Sequence, residues 1–279
     1  MKNVWKLSNY LFGWQWKKWN RNVTLLSLLL GMVFLIGAAL PTGNPAGYEY
    51  YPKVFSSYDM IVDQSWMPLA FGVGLLAILV GIALQIHSFS TNGKGIYTLF
   101  LLPMRRREVY LSFLLSAMAS VALYYVLWLL LLMIAYFPMM AIYESRAAEV
   151  VFQMTRDTVV TGLEVQHSNG LFLAFRRSFF LAACFPVLFW NVVPMLGGLA
   201  LLLTGIFFLG FYRAEIGLRW IGSIGSFLAG GYLYLQNGWR WMHSTIPLGR
   251  GPLLGMTGLV LAVCLHWFVM RMLEERKDL

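Results

Sequence analysis

The chain has 279 residues, of which 59% are hydrophobic and 12% are charged, and its mean hydropathy is +0.67. Soluble domains carry about 25% charged residues, so this composition argues against a soluble fold and predicts a protein embedded in lipid. The net charge of +9 does not indicate nucleic-acid binding, because the lysines and arginines fall between apolar stretches rather than along one soluble face. The two cysteines, Cys184 and Cys264, lie in apolar surroundings and indicate neither a disulfide framework nor a metal cluster.

The first 40 residues predict an interfacial helix followed by a membrane span. Residues 1–22 alternate tryptophans with lysines, which favours a helix at the membrane surface, with its rings at headgroup depth and its ammonium groups near anionic lipid. Residues 23–40 are apolar enough for the first span and lack a small-residue cleavage site, so we expect them to be retained. A tyrosine-rich loop and a second span over residues 67–87 follow.

The loop over residues 88–110 joins the second and third predicted spans. Its glycine-flanked polar entry, residues 92–95, is followed by an amphipathic run over residues 96–102, which Pro103 stops because proline cannot continue a helix. Arg105, Arg106 and Arg107 then form a cationic block that favours the cytoplasmic side. The pattern predicts a short helix lying across the membrane surface, a shape suited to receive a soluble partner.

The third predicted span covers residues 110–137, and the polar residues 138–175 predict a small extracellular cap that is helical in its first half. Residues 179–212 are too long for one span, since about 34 residues of helix extend roughly 50 Å. We expect a re-entrant or surface helix up to Trp190 and a fourth span over residues 192–211. The expected breakers are Pro186, Asn191, Pro194, Gly197 and Gly198. Broken backbone at membrane depth must be covered by protein or a wet cavity, so this region is expected to line something.

The fifth and sixth predicted spans cover residues 218–236 and 251–272, and the fifth is rich in glycine and serine, which allow helices to approach closely. In this topology, 14 of the 21 lysines and arginines fall on the side of both chain ends. The positive-inside rule therefore predicts that both termini are cytoplasmic.

The chain carries no motif for chemistry of its own. Residues 92–95 lack the upstream glycine and the hydroxyl that a Walker A loop needs for phosphate and magnesium, so the chain is not expected to hydrolyse ATP. Its four histidines are isolated, without metalloprotease spacing. Few charges fall inside the spans, which argues against an ion-coupled carrier.

Polar side chains in and beside the spans are the candidates for a cargo path. They are Ser116, Tyr124, Tyr125 and Asn191, together with Arg176 and Arg177 at the outer surface. Each polar span residue has the alternative role of a packing residue hydrogen-bonded to its own helix. The two arginines suit a phosphate headgroup or acidic cargo, or they anchor an interfacial helix in water.

The loop over residues 88–110 resembles the loop between the second and third spans of the permease subunits of type-2 ATP-binding-cassette (ABC) exporters. The residues that carry the resemblance are Gly95, Thr98, Leu99, Leu102, Pro103, Arg106, Arg107 and Glu108, followed by Tyr110, Leu111 and Ser112. Members often place acidic residues just before this helix, where this chain has Asn92, Gly93 and Lys94.

The resemblance implies a coupling helix that docks on a separate ATPase subunit, which would bind the ATP and Mg²⁺. The implied docking residues are Lys94, Ile96, Tyr97, Thr98, Leu99, Phe100, Leu101, Leu102, Pro103, Arg106 and Arg107. It also implies two ATPase subunits, a second permease subunit that is identical or related, and an amphipathic cargo such as a peptide, an antibiotic or a lipid-like molecule.

The sequence therefore predicts an all-α, six-span protein whose residues 1–279 form one permease domain in the cell membrane, with a bacterial plasma membrane as the expected location. Two alternatives stay open. The first is a non-transporting membrane scaffold or sensor that binds a cytoplasmic partner through residues 88–110. The second, an integral-membrane enzyme acting on lipids, is disfavoured by the missing acid and base clusters.

Overall fold

The computed structural model describes residues 2–39, 58–91, 104–157, 170–211, 216–242 and 250–275. It is 95% helical, which confirms the all-α prediction. The helices are α1 (Lys2–Gln15), a π-helical segment (Trp16–Asn20), α2 (Arg21–Ala39), α3 (Tyr58–Gln64), α4 (Met67–Thr91), α5 (Arg106–Asp157), α6 (Gly170–Arg177), α7 (Phe179–Cys184), α8 (Phe189–Phe211), α9 (Ile216–Met242) and α10 (Arg250–Glu275).

Five helices in the described part of the chain are long and apolar enough to cross a membrane, as a multi-pass membrane protein requires. They are Asn3–Ala39, Met67–Phe89, Arg106–Ile142, Asn191–Phe211 and Gly251–Glu274. The predicted fifth span, residues 218–236, lies within α9, which has 27 residues. Its glycines, serines and Arg219 lower its hydropathy, and it is not among the five.

The predicted interfacial helix and first span form one continuous helix from Lys2 to Ala39. Its buried positions recur every three or four residues from Ser8 to Gln15 and again from Asn20 to Leu35, but the step from Gln15 to Asn20 is five residues. The π segment lies at this long step. Because a π turn closes its hydrogen bond over five residues rather than four, it keeps both buried stripes on one side of the helix.

The N-terminal helix packs against α5 and α4 through this stripe. It runs in the same direction as α5, because the Ser112 hydroxyl lies 3.1 Å from the Val4 carbonyl and Gly31 lies against the Trp128 ring. It runs opposite to α4, since the Gln85 amide donates to the carbonyl of Leu11 at 3.4 Å and Trp19 donates to the carbonyl of Ala77 at 2.9 Å.

The C-terminal half is built around α8, which packs between α9 and α10. A Cβ added at Gly198 would lie 2.9 Å from the Gly230 carbonyl of α9, and one added at Gly197 would lie 2.6 Å from the Gly255 carbonyl of α10. Glycine at these positions lets the helices approach to backbone contact, as small residues do in membrane bundles.

The long helices alternate in direction along the chain. Tyr110, near the start of α5, packs on Phe211 at the end of α8, so these two helices are antiparallel. Gly205 of α8 faces Ser223 of α9, while Thr204 of α8 faces His266 of α10. Since Gly198 of α8 also faces Gly230 of α9, α9 runs opposite to α8. Since Gly197 of α8 also faces Gly255 of α10, α10 runs parallel to α8. Both described chain ends consequently lie at one end of the bundle, together with the end of α4 and the start of α5.

Helix α5 has 52 residues and continues through Pro138, so it extends about 78 Å. The prediction that the first half of the cap is helical is confirmed up to Asp157, although this helix is joined to the third span without a break. The cap prediction for residues 158–169 lies outside the described residues.

The predicted break after residue 179 is present, but four of its five expected breakers are wrong. Helix α7 ends at Cys184 and α8 begins at Phe189, and among the expected breakers only Pro186 lies between them. Asn191, Pro194, Gly197 and Gly198 all lie inside α8. Pro194 is the sixth residue of α8, and the helix continues through it. The two glycines serve close helix packing, which explains why the helix tolerates them.

Candidate functional site

The loop that carries the family resemblance falls largely outside the described residues. Of the predicted docking residues, Lys94 and those from Ile96 to Pro103 lie there, and the structure describes Arg106 and Arg107 at the start of α5. Arg107 is exposed, and the carboxylate of Glu108 accepts a hydrogen bond from the backbone N–H of Arg105 at 3.2 Å. An acidic side chain in the first turn satisfies an otherwise unpaired helical N–H.

Just beyond these arginines, a buried hydrogen-bond chain joins three long helices. The Thr204 hydroxyl donates to the Ala200 carbonyl at 2.7 Å, so its only proton is already used. His266 Nε2, 3.1 Å from that hydroxyl, must therefore be the donor, which leaves Nδ1 to accept from the hydroxyl of Tyr110. The chain runs from α5 through α10 to the backbone of α8. The sequence predicts an isolated His266, because no local spacing links residues 110, 204 and 266.

A second buried chain joins α5 and α9 to the short helix α7. The Tyr234 hydroxyl donates to the Cys184 thiol at 2.9 Å, so the Tyr125 hydroxyl, 2.7 Å away, donates to Tyr234. Tyr125 is one of the predicted cargo-path residues. Its hydroxyl is engaged between helices, and its ring lies against Phe185 at the break.

The other two predicted path residues of α5 are buried in helix packing. The hydroxyl of Tyr124 donates to the Phe71 carbonyl at 2.7 Å. Ser116 is 1% exposed, and its hydroxyl has no hydrogen-bond partner. Neither side chain borders an open surface, the hydroxyl of Tyr124 bonds to α4 rather than to its own helix, and a cargo-path role for either residue stays a prediction.

Three predicted residues come together at the break between α7 and α8. Arg176, Pro186 and Asn191 line a small, shallow depression that is open to the surface, together with Phe175, Ala182, Val187 and Leu188. Arg176 is exposed, whereas Asn191 is half-buried and its backbone N–H donates to the Leu188 carbonyl at 2.9 Å. Arg177 is exposed at the last residue of α6. The depression has one cationic side chain, that of Arg176, among mostly apolar side chains.

The carboxylate of Asp63 in α3 holds the wall of this depression. Asp63 Oδ1 accepts from the Ser178 hydroxyl at 2.6 Å and from the Phe180 N–H at 3.1 Å, and Oδ2 accepts from the Phe179 N–H at 2.8 Å. The sequence pattern does not single out Asp63, because it predicts only a tyrosine-rich loop before the second span. A helix of six residues, as α7 is, could not stand alone, and this cap fixes where it begins.

Helix α3 is itself anchored to α5. The hydroxyl of Tyr58 donates to the Leu132 carbonyl at 2.8 Å, and its ring packs edge-on against Tyr136. Burial, with a smaller contribution from Tyr136, raises the pKa of Tyr58 above its usual value, so this hydroxyl keeps its proton and its hydrogen bond.

Among the described residues, no group of three or more His, Cys, Asp or Glu side chains is placed to hold a metal ion. Comparison of the chain with protein-family models, with curated proteins and with solved structures gives no match.

Proposed function

We propose that the chain is the membrane-spanning permease subunit of a type-2 ABC exporter and that separate ATPase subunits drive it. The observation that supports this best is the alternation of the long helices, because it brings the end of α4 and the start of α5, which flank residues 92–103 in the sequence, to the same end of the bundle as both described chain ends. A coupling helix needs that position, on the cationic and therefore cytoplasmic side. In this assignment α9 is the fifth of six spans.

The buried chain from Tyr110 supports a route for the mechanical signal. Tyr110 lies four residues after Arg106, and its hydrogen bond reaches His266 in α10 and, through it, Thr204 in α8. A displacement of the coupling helix moves the start of α5, and this series of hydrogen bonds passes the displacement to α10 and α8. Coupling of this kind needs a contiguous packed or hydrogen-bonded network, which these residues supply.

The proposed cargo site is the depression at the opposite end of the bundle. Its wall contains the break between α7 and α8, and a backbone break at membrane depth must face protein or water. Arg176 would meet an anionic end of an amphipathic cargo, and the apolar walls its hydrocarbon part. Two permease subunits, identical or related, would place two such depressions in one complex.

The test is purification of the tagged chain from its native membrane, followed by measurement of Mg-ATP hydrolysis in the complex. Leu99→Asp and Phe100→Asp are expected to abolish the co-purified ATPase activity while the chain still inserts. Truncating an interface anchor commonly costs about 1–3 kcal/mol, and a buried charge costs more. Phe172→Asp, an exposed apolar position in α6, is the matched control and should keep the activity.

Two outcomes oppose the proposal. If the complex contains a stable partner but hydrolyses no ATP, the chain is a scaffold or sensor rather than a transport subunit. If hydrolysis survives both substitutions at the unmodified rate, residues 96–102 do not couple the subunits. Crosslinking of a photoreactive cargo analogue tests the cargo site separately, since labels confined to other helices would leave residues 185–191 with a structural role only.

A further inference from the structure

A cluster of cations lies on the outer side of the N-terminal helix, at the π segment. Lys17, Lys18 and Arg21 are all exposed, and the Lys18 ammonium lies 4.7 Å from the centre of the Trp14 ring. The first 39 residues contain no Asp or Glu. The α4 helix, against which this segment packs, also has no acidic residue, so the positive charge is not balanced by either helix.

The depth of this cluster is unexpected for lysine and arginine. The Trp19 indole donates to the Ala77 carbonyl of α4, and 14 residues, about 20 Å of helix, separate Ala77 from the end of α4 at Thr91. The cations therefore lie beside the apolar interior of a candidate span, where an exposed cation is stable only next to water or an anion.

The same exposed face becomes apolar towards the C-terminal end of α2. Lys17, Arg21, Leu25, Leu29 and Val33 follow one another at four-residue intervals, which places them in one row on the helix surface. Leu25, Leu29 and Val33 are 54%, 66% and 61% exposed. From Arg21 to Val33 the helix extends about 18 Å, close to the hydrocarbon depth of one leaflet, which is half of about 30 Å.

This order of charge and hydrocarbon matches one phospholipid molecule. We propose that the outer face of the N-terminal helix binds an anionic phospholipid, with its phosphate at Lys17, Lys18 and Arg21 and its acyl chains along Leu25, Leu29 and Val33. The lipid headgroup at this site then lies deeper in the membrane than the arginines that begin α5. The bilayer is therefore locally thinner beside the N-terminal helix, which costs only a modest free energy. An acidic protein segment would satisfy the cations but would leave the apolar half of the row uncovered.

The site is tested by thermal unfolding of the detergent-purified full chain with added phosphatidylglycerol or phosphatidylcholine of identical acyl chains. Phosphatidylglycerol is expected to raise the unfolding temperature by a few degrees more than phosphatidylcholine, since a ligand that binds only the folded state stabilises it. Lys17→Gln/Arg21→Gln should remove that difference. Lys6→Gln/Arg271→Gln, which removes two exposed cations elsewhere, should preserve it.

Inorganic phosphate alone is expected to produce no shift, because the acyl contacts supply part of the binding. Equal shifts with the two lipids, or an undiminished difference in Lys17→Gln/Arg21→Gln, would overturn the site. A full shift with inorganic phosphate would overturn the acyl part of the proposal. If the double variant does not fold, Lys17→Arg/Arg21→Lys should keep the lipid difference and single Lys17→Gln should reduce it, and the reverse pattern counts against the site.

Discussion

Asp63 and Ser178, 115 residues apart in the chain, form one composite cap for the short helix α7. The Ser178 hydroxyl donates to the Asp63 carboxylate and accepts from the Leu181 N–H at 3.1 Å, while the carboxylate accepts from the next two backbone N–H groups. An N-cap from within the chain satisfies one or two orphan donors. This pair satisfies three and also ties the segment before α4 to the break before α8.

Replacing Asp63 with Ala is expected to lower the free energy of unfolding by about 1–3 kcal/mol, because the Phe179 and Phe180 N–H groups lose their acceptor. Thermal unfolding in detergent measures the loss. Asp59→Ala, in the first turn of the same helix α3, is the control. A loss of the same size in Asp59→Ala would mean that α3, rather than the cap, carries the effect.

The chain of hydrogen bonds through His266 predicts coupling between two distant substitutions. Tyr110→Phe removes the donor to His266 Nδ1 and should cost about 1–3 kcal/mol, because a buried ring nitrogen is left unpaired. Thr204→Val removes the acceptor for Nε2 at the other side of the same ring. In a double-mutant cycle the two effects should not add, since they act on one network. Additive effects would contradict the network, and Tyr232→Phe, at an exposed tyrosine, is the control.

Two glycines, Gly255 at the crossing of α8 and α10 and Gly225 at an open position on α9, are expected to respond in opposite ways to substitution by alanine. A Cβ at Gly255 would lie 2.5 Å from the backbone nitrogen of Pro194, so Gly255→Ala should destabilise the protein by about 1–3 kcal/mol. Gly225 in α9 has no atom within 4 Å of its Cβ position, so Gly225→Ala should stabilise by about 0.5–1 kcal/mol through helix propensity. Unfolding temperatures that rank the two variants the other way would mean that the α8–α10 contact is looser than described.

The proposed topology predicts which positions are labelled from outside intact cells. Single cysteines at Ser57 and Ser168 should react with an impermeant maleimide, whereas one at Ser90 should react only after permeabilisation. The background carries Cys264→Ser, because Cys264 is exposed on α10, while Cys184 is buried and can stay. External labelling at position 90 would invert or break the six-span order.

Apolar length predicted the five helices that are long and apolar enough to cross a membrane, because hydrocarbon thickness imposes the same requirement on every span. The predicted span in α9 is not among these five. The break near Pro186 was predictable for a similar local reason. Pro194, Gly197 and Gly198 were misread as breakers, because their effect depends on the neighbouring helix: Gly197 meets the backbone of α10, and the sequence of α8 alone does not contain that contact.

The residues of the candidate site also fall into two groups, those that local sequence identifies and those whose role depends on distant partners. Arg176 and Asn191 were found from sequence, since a charge and an amide beside an apolar stretch are conspicuous. Asp63 and His266 were not, because their partners lie 115 and 156 residues away. The π segment did leave a signal, the five-residue step from Gln15 to Asn20, but it is visible only once the buried stripe is known.

The π segment allows the N-terminal helix to lose one residue without a change in which of its side chains are buried. Deleting Lys17 would let an ordinary α-turn join the two stripes, so that Gln15 and Asn20 come to lie four positions apart and every contact on α4 and α5 is kept. The same deletion within α2 would turn everything beyond it by about 100° and expose Gly31 and Leu35 in place of their lipid-facing neighbours. Among related chains, gained or lost residues in this helix should therefore concentrate between positions 16 and 20.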